Sequence, residues 1–211
     1  MSNHYHIPVL LQACIQGLNI KPDGVYVDIT FGGGGHSKEI LKHLGPNGKL
    51  IAFDQDKDAA ANVPQDDRLI FVPQNFRFLK NYLRINGFNS VDGILGDLGV
   101  SSHQFDVAER GFSIRFDSKL DMRMNQQSDL SAREVINNYD EKQLLFIFKN
   151  YGEIDNAFRL VKLIIEKRNE ETIETTDDLK KAIKSCTPKF EESRYLAKVF
   201  QAIRMEVNQE M

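Results

Sequence analysis

The stretch VYVDITFGGGGHSKEI, residues 25–40, joins a β-branched apolar run to four consecutive glycines and then to a helix-like segment. Glycine gives up the most backbone entropy on folding and packs no side chain, so four in a row beside a core element mark a place where something must come very close. A strand, a glycine-rich turn and a helix, in that order, match the first βα unit of a nucleotide-binding fold. Further β-rich runs follow at KLIAFD (49–54), RLIFVPQ (68–74) and VDGILGDLGV (91–100), with helical candidates at 37–44, 59–62 and 76–86. Strands that are apolar nearly throughout, separated by helices, predict a parallel sheet covered on both faces. Residues 1–105 therefore read as a doubly wound α/β, Rossmann-like domain.

The acids around the turn narrow its ligand. Asp54 closes the second β-rich run, 22 residues beyond Gly32, where such folds place an acid on ribose hydroxyls. Ser37 occupies the place of the third glycine in the dinucleotide pattern, which weakens a pyrophosphate reading. Asp28 opens the turn, and an acid there suits a ligand carrying an ammonium or sulfonium group. S-adenosylmethionine has both groups and a ribose. Asp97 ends the fourth β-rich run, where open α/β sheets hold ligand and chemistry; on its own it reads equally as the cap of a turn.

After about residue 105 the β-rich runs stop. A loop-like segment, FDVAERGFSIRFDSKLDMRMNQQSD, leads into helical periodicity at 132–138, 141–151, 155–166, 176–185 and 195–207. Ser131 and Glu134 have the spacing of a capping box, and Thr176 with Asp177 and Asp178 suits a helix start. The net charge of -3 argues against a generally cationic nucleic-acid binder, yet residues 180–204 hold seven Lys or Arg against two Glu. Taken alone, that run reads as a solvated helical face.

Two cysteines, Cys14 and Cys186, with no CxxC and no Cys/His cluster, indicate reduced, buried thiols and neither a disulfide framework nor a metal site. The start, MSNHYHIPVLLQACIQG, lacks the basic flank and long apolar core of a signal peptide, and no apolar run approaches the roughly 18 residues that span a bilayer. A cytoplasmic protein without a membrane partner is expected.

Eight segments together resemble one family: HIPVLL (6–11), GLNIKPDGVYVDITFGGGGHS (17–37), AFDQD (52–56), DGILGDLGVSS (92–102), AERGFSIR (108–115), LDMRMN (120–125), YGE (151–153) and FQAIRMEVN (200–208). In this order they resemble the bacterial ribosomal RNA small-subunit methyltransferase H family. The resemblance implies a class I methyltransferase sheet and methylation, with S-adenosylmethionine, of the exocyclic amino group of a cytidine in the decoding region of 16S rRNA, the partner being the small ribosomal subunit. It implies cofactor contacts from Gly34, Gly35 and His36 in the turn, Asp54 on the ribose, Phe76 beside the adenine, and Asp97 and Gln104 near the methionine end, with Asp97 also the catalytic acceptor. Read without it, His36 is an ordinary helix-start histidine and Phe76 a core aromatic. Gly33, His103 and Gly96 depart from the family pattern, which has Arg, Pro and a larger apolar residue there. The resemblance also makes 106–197 a helical insertion for RNA recognition, with Arg110, Arg115, Lys119 and Arg123 for phosphates and Phe112 or Phe116 for stacking. Residues 198–211 then begin a return to a sheet left short of its last strands, so weak cofactor binding and self-association through the uncompleted sheet are expected. The rival readings are a non-catalytic RNA- or cofactor-binding protein and a nicotinamide-dependent oxidoreductase, which lacks a Tyr-x-x-x-Lys here.

Overall fold

A computed structural model describes residues 8–211; the first seven residues, including His6 and Ile7 of the HIPVLL segment, lie outside the described residues. By chain contacts the molecule divides into two units, residues 1–99 and 100–211.

The first unit is built on four parallel strands: β1 (Val25–Asp28), β2 (Lys49–Phe53), β3 (Leu69–Val72) and β4 (Gly93–Leu95), in the order β3-β2-β1-β4. Val27 pairs with Ile51 on one side and with Ile94 on the other, so β1 is central and the order reverses beside it. Such a reversal is where open α/β sheets form a ligand crevice at the carboxyl ends of their strands. Alternation along the strands fills both faces. Tyr26 and Leu50 join Ile15, Ile40, Leu41 and Leu44 on one face, beneath α1 (Leu11–Leu18) and α2 (Gly35–His43). Val27, Ile51 and Phe53 pack on the other with Phe76, Leu79 and Tyr82, of which the last two lie in α3 (Leu79–Ile85). The doubly covered parallel sheet expected from the apolar runs is present. Among the described residues β4 pairs only with β1, and Ile94 is 50% exposed at that open edge.

The second unit is helical: α4 (Ser102–Asp106), α5 (Ala132–Asn138), α6 (Glu141–Asn150), α7 (Ala157–Glu170), α8 (Thr176–Ile183) and α9 (Glu192–Val207). Val135, Ile136, Leu144, Phe148, Leu160, Val161, Ile164, Val199 and Ile203 make its dry core. The α5 box forms as read, with the Glu134 carboxylate accepting the Ser131 backbone N–H at 3.1 Å. α8 starts at Thr176 as read, and Thr175 just before it is the cap, accepting from the Asp178 N–H at 3.2 Å while Asp178 accepts the Thr175 N–H at 3.0 Å. Residues 198–211 fall within this unit because α9 runs unbroken from Glu192 to Val207.

The family segments that look most like a recognition loop hold this unit together. Arg110 is buried, and its Nη2 donates to the carbonyls of Arg123 at 2.9 Å and Met124 at 3.3 Å. The buried Asn208 amide accepts the Met124 N–H at 2.7 Å and donates to the Met122 carbonyl at 2.8 Å. AERGFS, LDMRMN and FQAIRMEVN thus knit to one another around backbone groups that a core must satisfy.

Candidate active site

The glycine turn follows directly from the end of β1. Gly32 and Gly34 take φ values of +52° and +76°, a region that a Cβ disfavours. A Cβ on Gly34 would also stand 2.8 Å from the Phe31 ring, and one on Gly35 would run into Pro8. The turn is therefore packed closely from one side as well as bent. At its far end α2 begins, with first-turn N–H groups that the helix itself cannot pair.

Two carboxylates secure this turn. Asp54, half-buried just beyond β2, accepts the Gly32 N–H at 2.7 Å through one oxygen and the Asp56 N–H at 2.8 Å through the other. Burial pushes its pKa up to about 6, with repulsion from Asp56 and Asp28 adding to the rise and the two amide bonds opposing it. Asp28 is wholly buried: Oδ1 accepts the Thr30 N–H at 3.0 Å and Oδ2 the Ser37 hydroxyl at 2.7 Å. Burial raises its pKa as well. Asp28 thus braces the turn from inside, and the ammonium- or sulfonium-facing position expected for it at the mouth of the turn is not available. Neither carboxylate is ion-paired with Lys or Arg among the described residues.

The other residues implied by the resemblance separate into two groups. Phe76 is half-buried in a short 3-10 turn after β3, packed on the Val27 and Phe53 cluster, and Asn75 beside it donates to Gln55 at 3.1 Å. Asp97 is exposed just past β4, with its N–H donated to the Thr30 hydroxyl at 2.7 Å. These two, with Asp54 and Gly34 and Gly35, stand at the carboxyl ends of the strands or in the segments that follow them. His36 is different: its ring is buried and its Nε2 lies 3.1 Å from the Val9 carbonyl, so the side chain anchors the chain before α1. Its backbone N–H remains in the first turn of α2. Gln104 belongs to the second unit, where it is buried in a capping box, accepting the Ser101 N–H at 3.1 Å.

The residues fit a nucleoside with a cationic tail better than a dinucleotide. A turn that already carries two carboxylates without a cation welcomes hydroxyl donors and positive charge, and each further anion would add repulsion. Asp54 keeps lone pairs beyond the two it gives to amides, which suits ribose hydroxyls. No group of His, Cys, Asp and Glu among the described residues could hold a metal ion.

Sequence comparison agrees. The chain is 59% identical over 207 residues, 98% of its length, to Ribosomal RNA small subunit methyltransferase H of Flavobacterium johnsoniae, of which it covers 68%. It is 58% identical over 98% of its length to the protein of that name from Christiangramia forsetii, again covering 68%. The corresponding Bacteroides fragilis protein is 53% identical, with the same coverage of both chains. Residues 3–211 match the description of the MraW methylase family. The glycine turn, its acid clamp and this match over nearly the whole length establish that the chain belongs to the MraW methylase family, whose methyl donor is S-adenosylmethionine.

Proposed function

We propose that this chain methylates small-subunit ribosomal RNA, and that its target is the exocyclic N4 amino group of a cytidine in the decoding region of 16S rRNA. The observation that carries the reading is the end of β4, where the exposed Asp97 and the carbonyls of DLGV offer hydrogen-bond acceptors. S-adenosylmethionine, when bound, supplies a methyl group already activated by its sulfonium. The protein has to deal with a poor nucleophile, since the amino lone pair of cytosine is delocalised into the ring. Acceptors that hold the amino hydrogens let the nitrogen pyramidalise, and one of them can take the proton released. In this reading Asp97 takes that role. Methylation at C5 calls for a cysteine nucleophile. Cys14 lies half-buried in α1, and Cys186 is buried in the helical unit with its Sγ 3.1 Å from the Ile183 carbonyl.

In the turn, Asp54 accepts from the ribose hydroxyls while its bonds to Gly32 and Asp56 keep it oriented. Phe76 offers one ring edge to the adenine, and the first amides of α2, Gly35 and His36, face the cofactor, while Gly34, whose own N–H is held by the Phe31 carbonyl at 2.7 Å, lets the ligand come close. The oxidoreductase reading falls with the family. Calorimetric titration with S-adenosylhomocysteine and with NAD, followed by transfer of labelled methyl to small ribosomal subunits, tests the reading as a whole. Binding of the first ligand alone, together with label in the RNA, is expected. Binding of S-adenosylhomocysteine without any transfer would instead favour the non-catalytic alternative.

The raised pKa of Asp54 makes cofactor affinity depend on pH. A ribose hydroxyl donates to the carboxylate and not to the acid, and the carboxylate dominates above about pH 6. The dissociation constant of S-adenosylhomocysteine should therefore be level above pH 7 and rise below pH 6, approaching about tenfold per unit. Asp54→Asn should flatten that limb. A profile in which parent and variant rise together would take Asp54 out of the ribose site.

For the RNA, burial and ion pairing limit which of the expected cations are free to reach phosphates. Arg110 and Phe112 are buried, and Arg123 is held by Asp121 in a two-bond ion pair at 2.9 and 2.7 Å. Arg115, Phe116 and Lys119 remain exposed. In the basic run, Lys180 is tied to Asp177 at 2.5 Å and to the Ile114 carbonyl, and Arg204 to Glu210 at 2.9 Å. Lys181, Lys184, Lys189 and Arg194 are exposed. We place the phosphate contacts on Arg115 and Lys119 and on these four cations. Changing Lys181, Lys184 and Lys189 to Gln should weaken RNA binding and lower its salt slope by up to about 3, with cofactor affinity unchanged. Equal slopes for variant and parent would return the run to a solvated face.

A further inference from the structure

We infer that Thr30 is a positioning residue for methyl transfer: its hydroxyl fixes the main chain at Asp97 against the cofactor turn. The inference rests on the reading of Asp97 as the acceptor for the amino hydrogens.

The sheet register sets Asp28 opposite Leu95, and the Ile29 N–H donates to the Leu95 carbonyl at 2.9 Å. Beyond that bond β1 bends into the glycine turn and β4 into DLGV, so the regular ladder has no next rung. The Thr30 side chain supplies one. Its Oγ1 accepts the Asp97 N–H at 2.7 Å and lies 3.4 Å from Asp28 Oδ1, to which it donates. A hydroxyl has one donor and two lone pairs, so both bonds form together. Asp28 in turn holds the Thr30 N–H at 3.0 Å and the Ser37 hydroxyl of α2 at 2.7 Å. One buried carboxylate thus ties together the cofactor turn, the start of α2 and, through Thr30, the segment that carries Asp97. Gly96 permits the approach: a Cβ there would stand 2.9 Å from Ile29 Cδ1.

Thr30→Val keeps the shape and the β-branch and removes the hydroxyl. A displacement of about 1 Å at a reacting group can cost about a hundredfold in rate, so kcat should fall by about ten- to a hundredfold. The dissociation constant for S-adenosylhomocysteine should stay within about threefold of the parent. Amide exchange at Asp97 should quicken by about fivefold, the equivalent of one modest hydrogen bond. Thr30→Ser should restore both the rate and the protection. Thr30→Ala, measured alongside, covers the case in which valine is not accommodated, and Asp97→Ala provides the reference. If Asp97→Ala is inactive and Thr30→Val turns over like the parent, the inference fails and the reading of Asp97 stands. If Asp97→Ala is fully active, both fail. Equal losses of rate and cofactor affinity in Thr30→Val would make Thr30 a part of the cofactor turn alone, which also overturns the inference.

Discussion

Asp97→Ala is expected to reduce methyl transfer to small ribosomal subunits by about 10²- to 10³-fold, the range for removing a group that takes part in proton transfer. Cofactor affinity should fall much less, by about threefold to tenfold, the equivalent of one modest hydrogen bond near the methionine end, because the turn proposed for the cofactor is braced by Asp54 and Asp28. Stability should hardly move. The Asp97 side chain is exposed and has no hydrogen-bond or ion-pair partner among the described residues, and such surface substitutions usually stay within about 0.5 kcal/mol. Asp97→Asn keeps one acceptor oxygen and should fall between parent and alanine. The separation between kcat and binding is the test. A variant that loses both in equal measure would leave Asp97 a cofactor contact alone, and one that loses neither would remove it from the site.

Asp54→Ala is expected to have the larger effect on binding. Losing one hydrogen bond to a charged group costs about 1.5 to 3 kcal/mol, roughly ten- to 150-fold in affinity. The same change removes the acceptor for the Gly32 and Asp56 N–H groups, so the turn loses its clamp to β2 at the moment the ligand loses its ribose partner. A loss of about a hundredfold or more in S-adenosylhomocysteine affinity, read by calorimetry at pH 7.5, is the expected result. The empty protein has an opposing gain. Asp54 has a folded pKa above its ordinary value, so in the unliganded protein the stabilising form is the protonated one, and stability falls as pH rises from about 4 to about 6. Asp54→Asn should abolish that decline, which thermal melts at pH 4.5 and 7 would show. Parent-like affinity in Asp54→Ala would contradict the account of the turn.

The first unit was legible because its strands are buried on both faces and therefore read as continuous apolar runs; all four appeared in the sequence, each trimmed at its carboxyl end where the site begins. The helix α1 was not. It starts after Leu10 and stops at Asn19, both with positive φ, and neither end carries a Ser, Thr or Asp cap that would announce it. For α4 the signal existed: Ser101 and Gln104 have capping-box spacing, hidden by their position just after a strand-like run. Among site residues, Asp54, Asp97 and the glycines could be placed from their positions at strand ends, whereas Phe76 came from the family resemblance alone. What spacing could not supply is burial. Asp28 and Asp54 both stand beside the turn, yet one is wholly buried and the other half-buried, since β1 is central and Asp28 belongs to its last buried position. The same holds for Arg110, whose guanidinium is taken by the backbone carbonyls of Arg123 and Met124, and for Phe112, whose ring is part of the helical unit's core.

The central claim is that an S-adenosylmethionine turn serves an amino-nitrogen target on small-subunit RNA. It is tested most directly by incubating the protein with small ribosomal subunits and isotopically labelled S-adenosylmethionine, digesting the 16S rRNA to nucleosides and identifying the labelled product by mass spectrometry. The account predicts label in N4-methylcytidine, recovered from a decoding-region fragment and absent with Asp97→Ala. Label in C5-methylcytidine, in any other nucleoside, or in N4-methylcytidine at the parent rate with Asp97→Ala would contradict it.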